Sequence, residues 1–357
     1  MHILHVVGAR PNFMKAAPVY RALAAKNHKQ TLIHTGQHYD TQMSGVFFSQ
    51  LGIPEPDENL NVGSASHAQQ TASIMAAFEP ALLSHRPDLV LVYGDVNSTV
   101  AAALVCSKLG FRVGHIEAGL RSFDRTMPEE INRLLTDQLA DILFTPSSDG
   151  DANLAREGID QDKVFCVGNV MIDTLIRYLP HAEEAFARFK TELSLDAFGL
   201  ITLHRPSNVD DPCVFVPMLK TLDDLSRVLP LVFPVHPRTR SRWSELLNGC
   251  NAGLRVVDPL GYVEFLALQK HAEVIVTDSG GIQEESTYLG KPCITLRENT
   301  ERPITITMGT NTLVGHNWDM LRQRFHESLN GQRKSGGSPP PLWDGKASMR
   351  IADILTN

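Results

Sequence analysis

No CxxC pair, no GxGxxG turn and no Walker-type glycine loop occurs in this 357-residue chain. Nor does any stretch reach the roughly 18 apolar residues of a membrane-crossing helix. Each absence removes a class. The five cysteines, Cys106, Cys166, Cys213, Cys250 and Cys293, are odd in number and scattered. They build neither a disulfide scaffold nor a zinc ribbon, and they suit a reducing cytoplasm with buried thiols. Without the glycine fingerprints, NAD chemistry and P-loop NTPase chemistry are not indicated. The N-terminus, MHILHVVGARPNF, is too short for a signal h-region and runs directly into a strand–turn–helix pattern. Positive charge is also short, with a formal net charge of -7. That argues against nucleic acid or an anionic membrane surface as the main partner, although a local Arg/Lys cluster can still hold a small anion.

What remains is an ordinary globular composition, 43% hydrophobic and 20% charged, long enough for two hydrophobic cores. Short apolar runs recur, each followed by a helical pattern: HILHVVG, QTLIHTG, DLVLVYGD, RVGHIEAG, DILFTP and KVFCVGN. They are continuously apolar rather than alternating, which predicts parallel strands covered on both faces. After about residue 170 the pattern lapses into a charged helical stretch, HAEEAFARFKTELSLDAFG. It restarts with LITLHRP, LPLVFPVHP, LRVVDPL, AEVIVTD and KPCITLRE. Two doubly wound α/β domains are expected, over 1–170 and 171–342, with a ligand cleft between them. A Gly/Ser/Pro-rich linker, NGQRKSGGSPPPL, then precedes a predicted terminal helix in 343–357.

The polar residues of interest follow strands, where open α/β sheets bind ligands. GARPNFMK, Gly8 to Lys15, places a tight-turn glycine, Pro11 and the cations Arg10 and Lys15 at a helix start, an anion-binding arrangement. TDSGGIQEE does the same after AEVIV. Ser279, Gly280 and Gly281 open a helix whose N–H groups can hold a diphosphate, with Glu285 placed to accept from a ribose diol. By residue type alone, an ordinary serine N-cap reads equally well. Asp95 in GDVNST, Glu117 in HIEAG, and Glu129 and Glu130 in PEEINR are carboxylates suited to stabilising an oxocarbenium ion and moving protons. Two acids after a proline also complement a helix dipole. His204 and Arg205 close LITLHR, and His236, Arg238, Arg240 and Arg302 add cations near strand ends, for phosphate or for solvent. His115 and Glu117 imitate the H-x-E of zinc deaminases, but no Pro-Cys-x-x-Cys follows, so no metal site is expected. Asp149 and Asp151 imitate a metal-binding DxD, and capping of the next helix explains them better.

GARPNFMKAAPV, HTGQHYD, GDVNST, HIEAGLRS, PEEINR, HRPSNVD, FPVHPRT, TDSGGIQEE, GKPC and TERP stand in one order along nearly the whole chain. In that order they resemble the non-hydrolysing UDP-N-acetylglucosamine 2-epimerases. The resemblance implies a GT-B-like fold of two Rossmann-like domains, with the C-terminal helix 343–357 returning to the first. It implies Asp95, Glu117, Glu129 and His204 as catalytic positions. Arg10, Ser279, Gly280, Gly281, Glu285 and Arg302 take the UDP-binding positions, Lys15 lies near the substrate phosphates, and Phe265 lies beside the uracil. It also implies a homodimer, a UDP-sugar substrate, and no cofactor or metal. One departure concerns regulation. Family members activated by a second substrate molecule carry QHR and a doubled Arg after the catalytic His. Here Tyr39, Asp40 and Pro206 break that pattern, which puts allosteric activation in doubt.

The chemistry can be reasoned separately. C2–H of the sugar is not adjacent to a carbonyl, and no NAD fingerprint allows oxidation of a neighbouring carbon. The remaining route breaks the anomeric C–O bond first, expels UDP, and lets a carboxylate take C2–H to give 2-acetamidoglucal. Asp95, Glu117 and Glu129 are the acid–base candidates, with the base unassigned. A 2-epimerase of UDP-diacetamido-uronic acids, a hydrolysing epimerase, a GT-B glycosyltransferase and a catalytically silent nucleotide-sugar binder are the competing readings.

Overall fold

A computed structural model describes residues 1–37, 51–192, 196–331 and 338–356; the side chains of Arg10, Thr191, Glu192 and Arg238 lie outside it. Tyr39 and Asp40, on which the regulatory expectation partly rests, also fall outside the described residues. The chain divides into two compact units, Met1–Thr174 with Pro341–Asn357, and Leu175–Pro340.

The first unit holds a parallel sheet of β1 (His2–Val7), β2 (Lys29–His34), β3 (Glu58–Asn59), β4 (Leu89–Tyr93), β5 (Val113–Ile116), β6 (Ile142–Thr145) and β7 (Val164–Cys166). Their order is β3-β2-β1-β4-β5-β6-β7. The second unit repeats the plan with β8 (Gly199–Thr202), β9 (Leu231–Pro234), β10 (Leu254–Val257), β11 (Val274–Thr277), β12 (Cys293–Thr295) and β13 (Asn311–Leu313), ordered β10-β9-β8-β11-β12-β13. In each sheet the order reverses beside the first strand, between β1 and β4 and between β8 and β11. At such a switch point the flanking connections diverge, leaving room at the strand C-termini.

The apolar runs work as expected for strands covered on both faces. Along β8, β9 and β11, Ile201, Leu231, Phe233, Val274 and Val276 enter one core cluster. The residues between them, Leu200, Val232 and Ile275, enter another. Successive side chains point to opposite faces, so neither face tolerates a polar alternation. The short β3 and β13 have no such run and were not anticipated. The C-terminal helix Ala347–Thr356 packs on the helix Arg10–Ala25. Asp173 ties its first turn by accepting the N–H groups of Ala347 at 3.1 Å and Ser348 at 2.7 Å.

Candidate active site

The turn after β1 is shaped by a contact that only glycine permits. A Cβ on Gly8 would stand 2.0 Å from Ser98 Oγ and 2.5 Å from Thr35 Oγ1. The Asn12 side chain folds back to accept the N–H groups of Gly8 and Ala9, both at 3.1 Å, and donates to the Tyr93 carbonyl at 2.8 Å. The start of the Arg10–Ala25 helix is thereby fixed against the end of β4. Arg10 opens that helix. Lys15, one turn further, is buried, and its ammonium meets the Glu117 carboxylate. The resemblance placed Lys15 near the substrate phosphates; its partner within this unit is a candidate catalytic acid.

β4 and β5 are neighbours, with Tyr93 opposite Ile116, so Asp95 and Glu117 leave the sheet at the same rim. Glu117 takes a left-handed backbone conformation, φ 74°. For a residue with a Cβ this costs on the order of 1–3 kcal/mol and persists only where the surroundings hold it. Here the Phe144 carbonyl accepts the N–H groups of both Glu117 and Ala118, at 3.1 and 3.0 Å. Asp137 accepts the N–H of Gly119 at 3.1 Å. Gly119 itself has φ 80°, and a Cβ there would meet the Gly150 carbonyl at 2.6 Å.

Asp95 pairs with Arg133, and its backbone carbonyl accepts Asn132 Nδ2 at 2.9 Å. Arg133 also donates to Glu130 Oε2, at 2.6 and 3.0 Å. Glu130 further accepts the N–H and hydroxyl of Ser122, both at 3.0 Å, and the Phe123 N–H at 2.9 Å. Burial alone would raise the Glu130 carboxyl, but the Ser122 N–H, the Arg133 guanidinium and the Phe123 N–H outweigh it and hold it below the usual range. The adjacent acids of PEEINR therefore separate. Glu130 is buried and braces the loop, whereas Glu129 stays partly exposed on the first turn of the Pro128–Leu139 helix.

In the second unit His204 follows β8 and its Nδ1 lies 3.1 Å from Asp278 Oδ1, with the imidazole mostly exposed. Asp278, just beyond β11, is fully buried. It also accepts the Arg205 N–H at 2.9 Å and Asn208 Nδ2 at 3.0 Å. Burial would raise its carboxyl, but the bonds from His204, Arg205 and Asn208 pull it down. With Nδ1 donating to that carboxylate, Nε2 is the atom His204 presents outward. Pro206, which stands where the doubled Arg would continue, takes the first position of the short helix Pro206–Val209.

Ser279 is the N-cap of the Gly280–Leu289 helix, and its side chain makes no capping bond. The Arg302 guanidinium lies against this terminus, since a Cβ on Gly280 would meet Arg302 Nη1 at 2.5 Å. Arg302 pairs with Glu284 at 2.8 Å and with Glu301. Glu285 is buried and accepts Tyr262 Oη at 2.9 Å. Burial, with a contribution from the Glu284 charge, pushes its carboxyl up to about 7 against the opposing bonds from Tyr262 and Gln269. Phe265 lies in the Tyr262–His271 helix, one turn beyond Tyr262. Of the other cations, the half-buried Arg240 pairs with Asp258 at 3.1 Å.

Sequence reasoning did not single out Arg133, Asp137, Asp278 or Tyr262. Arg133 had a local signal, since it lies three residues after Glu130 on one helical face. Asp278 directly precedes the Ser279 N-cap. Asp137 and Tyr262 had none.

The UDP-N-acetylglucosamine 2-epimerase family model matches residues 21–356. The UDP-N-acetylglucosamine 2-epimerase of Methanocaldococcus jannaschii is 42% identical over 365 residues, covering 100% of this chain and 99% of the relative. The UDP-2,3-diacetamido-2,3-dideoxy-D-glucuronate 2-epimerase of Pseudomonas aeruginosa is 42% identical over 359 residues, covering 99% of each. The crystal structure of the M. jannaschii enzyme in complex with UDP-GlcNAc and UDP superposes with a TM-score of 0.92 over 100% of this chain and 99% of that one. The two Rossmann-like sheets are GT-B-like. A match this long, spanning both halves of the chain, makes this chain a member of the UDP-N-acetylglucosamine 2-epimerase family.

Proposed function

We propose that the protein inverts C2 of UDP-N-acetylglucosamine to give UDP-N-acetylmannosamine, by eliminating UDP to 2-acetamidoglucal and adding it back. The observation that carries this reading is the pair Asp95 and Glu117 on neighbouring strand ends, each held by a buried cation, Arg133 and Lys15. Elimination needs groups that stabilise a developing oxocarbenium ion and exchange protons at C2, and fixed carboxylates supply both. Asp95, Glu117 and Glu129 take these roles, with His204 a further proton carrier whose orientation Asp278 sets. The departing UDP is charge-stabilised by Arg10, Arg302 and the N–H groups of Gly280 and Gly281, which open their helix and so have no intrahelical acceptors. Ser279 adds a hydroxyl, Glu285 serves the ribose diol and Phe265 flanks the uracil. No cofactor or metal enters the scheme. The cytoplasm is the compartment this substrate and the scattered cysteines suggest, and the family resemblance suggests a homodimer. The same resemblance places the C-terminal helix with the first Rossmann-like domain.

Proton NMR of the purified protein with UDP-GlcNAc in D2O, without added metal or NAD, tests the reading. UDP-ManNAc carrying deuterium at C2 is the expected product. Accumulation of UDP with free N-acetylmannosamine would point to a hydrolysing enzyme instead. The 42% identity to the diacetamido-glucuronate epimerase favours one second reading, a UDP-diacetamido-uronic acid substrate. Exchange with that sugar and none with UDP-GlcNAc would establish it.

A further inference from the structure

We infer that His115 is a positioning residue for Asp95 and Glu117, held as an imidazolium between Asp137 and the Gly94 carbonyl. The inference rests on the 2-epimerase reading for what is being positioned. His115 is fully buried on β5. Its Nδ1 lies 2.6 Å from Asp137 Oδ1 and its Nε2 lies 2.8 Å from the Gly94 carbonyl oxygen. A carbonyl oxygen can only accept, so Nε2 must carry a proton. Asp137 is held ionised independently of the histidine, because its Oδ2 faces the Arg121 guanidinium at 2.7 Å and accepts the Gly119 N–H at 3.1 Å. An ionised carboxylate also only accepts, so Nδ1 carries a proton too, and the ring is charged.

The surroundings balance that charge. Arg121 Nη1 lies 2.7 Å from Asp137 Oδ2, and Arg121 Nη2 lies 2.7 Å from Glu157 Oε2. His115, Asp137, Arg121 and Glu157 thus alternate in sign, which is what allows ions to remain in a dry interior. This chain of charges reaches two turns. Gly94, whose carbonyl takes the Nε2 proton, immediately precedes Asp95. Gly119, whose N–H is accepted by Asp137 Oδ2 at 3.1 Å, lies two residues after Glu117. One ion pair therefore fixes the backbone before one acid and after the other, and helps hold Glu117 in its strained conformation. His115 touches neither acid's carboxyl in this arrangement; it acts through the backbone.

Nitrogen-15 NMR of the histidine ring, paired with kinetics of His115→Gln and Asp137→Asn, tests this. Two ring N–H groups on His115 are expected at neutral pH, one for each acceptor. Each variant is expected to lose roughly 100-fold in kcat, since misplacing a reacting group by about 1 Å costs that much. KM and UDP affinity by calorimetry should stay near wild type, because the UDP-holding groups are elsewhere. A ring with a single N–H overturns the imidazolium. A wild-type kcat in folded variants, or kcat and UDP affinity falling together, overturns the positioning role. If neither variant folds, the ring signature of the unaltered protein decides. An unaltered protein inactive on both candidate sugars overturns the epimerase reading and the positioning role with it, while the ring signature still reports the state of His115.

Discussion

Replacing Arg133 by methionine removes the cation that joins Asp95 to Glu130 while keeping most of the side-chain volume. The Arg133 and Glu130 side chains are each 2% exposed, and Asp95 is 23% exposed. Taking one partner from a buried ion pair costs about 3–5 kcal/mol, because the other charge is left in the interior. Glu130 keeps the Ser122 and Phe123 donors, so the low end, about 3 kcal/mol, applies. The half-open Asp95 pair adds less than about 1 kcal/mol. The pH sign follows from Glu130. Its carboxyl lies below the ordinary glutamate value in the folded protein, so its stabilisation is present above that value. It is lost as pH falls through the folded pKa. Arg133→Met should therefore lower stability at neutral pH by about 3 kcal/mol and flatten the acid limb of the stability profile. Urea unfolding at a series of pH values measures both, and C2–H exchange should slow as Asp95 loses its anchor. A loss below about 1 kcal/mol with an unchanged acid limb would refute the reasoning.

Two further outcomes follow from the site. Glu117→Gln should abolish turnover while UDP still binds, since the amide keeps the shape but carries neither the charge nor a transferable proton; calorimetry showing lost UDP binding would count against this role. Glu285→Gln should remove a pH slope. With its carboxyl raised from 4.5 to about 7 in the folded state, the native protein binds the extra proton, so stability falls as pH rises through that window. The change amounts to as much as roughly 3 kcal/mol above pH 7. Urea midpoints of the two proteins against pH should diverge across this interval, and parallel curves would dismiss the effect.

The strands were legible because burial on both faces leaves one solution, a continuous apolar run such as LVLVY in β4. The two-residue β3 and three-residue β13 were not, since so short a segment carries no pattern. Asp95 and Glu117 were legible for a related reason: a carboxylate just after an apolar strand stands at the strand C-terminus whatever the loops do. Their partners were not. Lys15 reads as a phosphate ligand because it follows Arg10 in a helix start, yet its ammonium meets an acid 102 residues away in the chain, Glu117 minus Lys15 in numbering. Glu129 and Glu130 are indistinguishable as letters, and only the fold of the Ser122–Phe123 backbone around one of them tells brace from candidate acid.

By itself the sequence determined the two doubly wound sheets, the rims at which their polar residues emerge, and the family. These depend on periodicity and on motif order, both of which are local properties or sums of local properties. Tertiary structure alone decided the ionic pairings: Asp95 with Arg133, His115 with Asp137, His204 with Asp278. Electrostatic energy in a dry interior depends on separations of a few ångströms between groups brought together by the whole fold, and no local pattern encodes them.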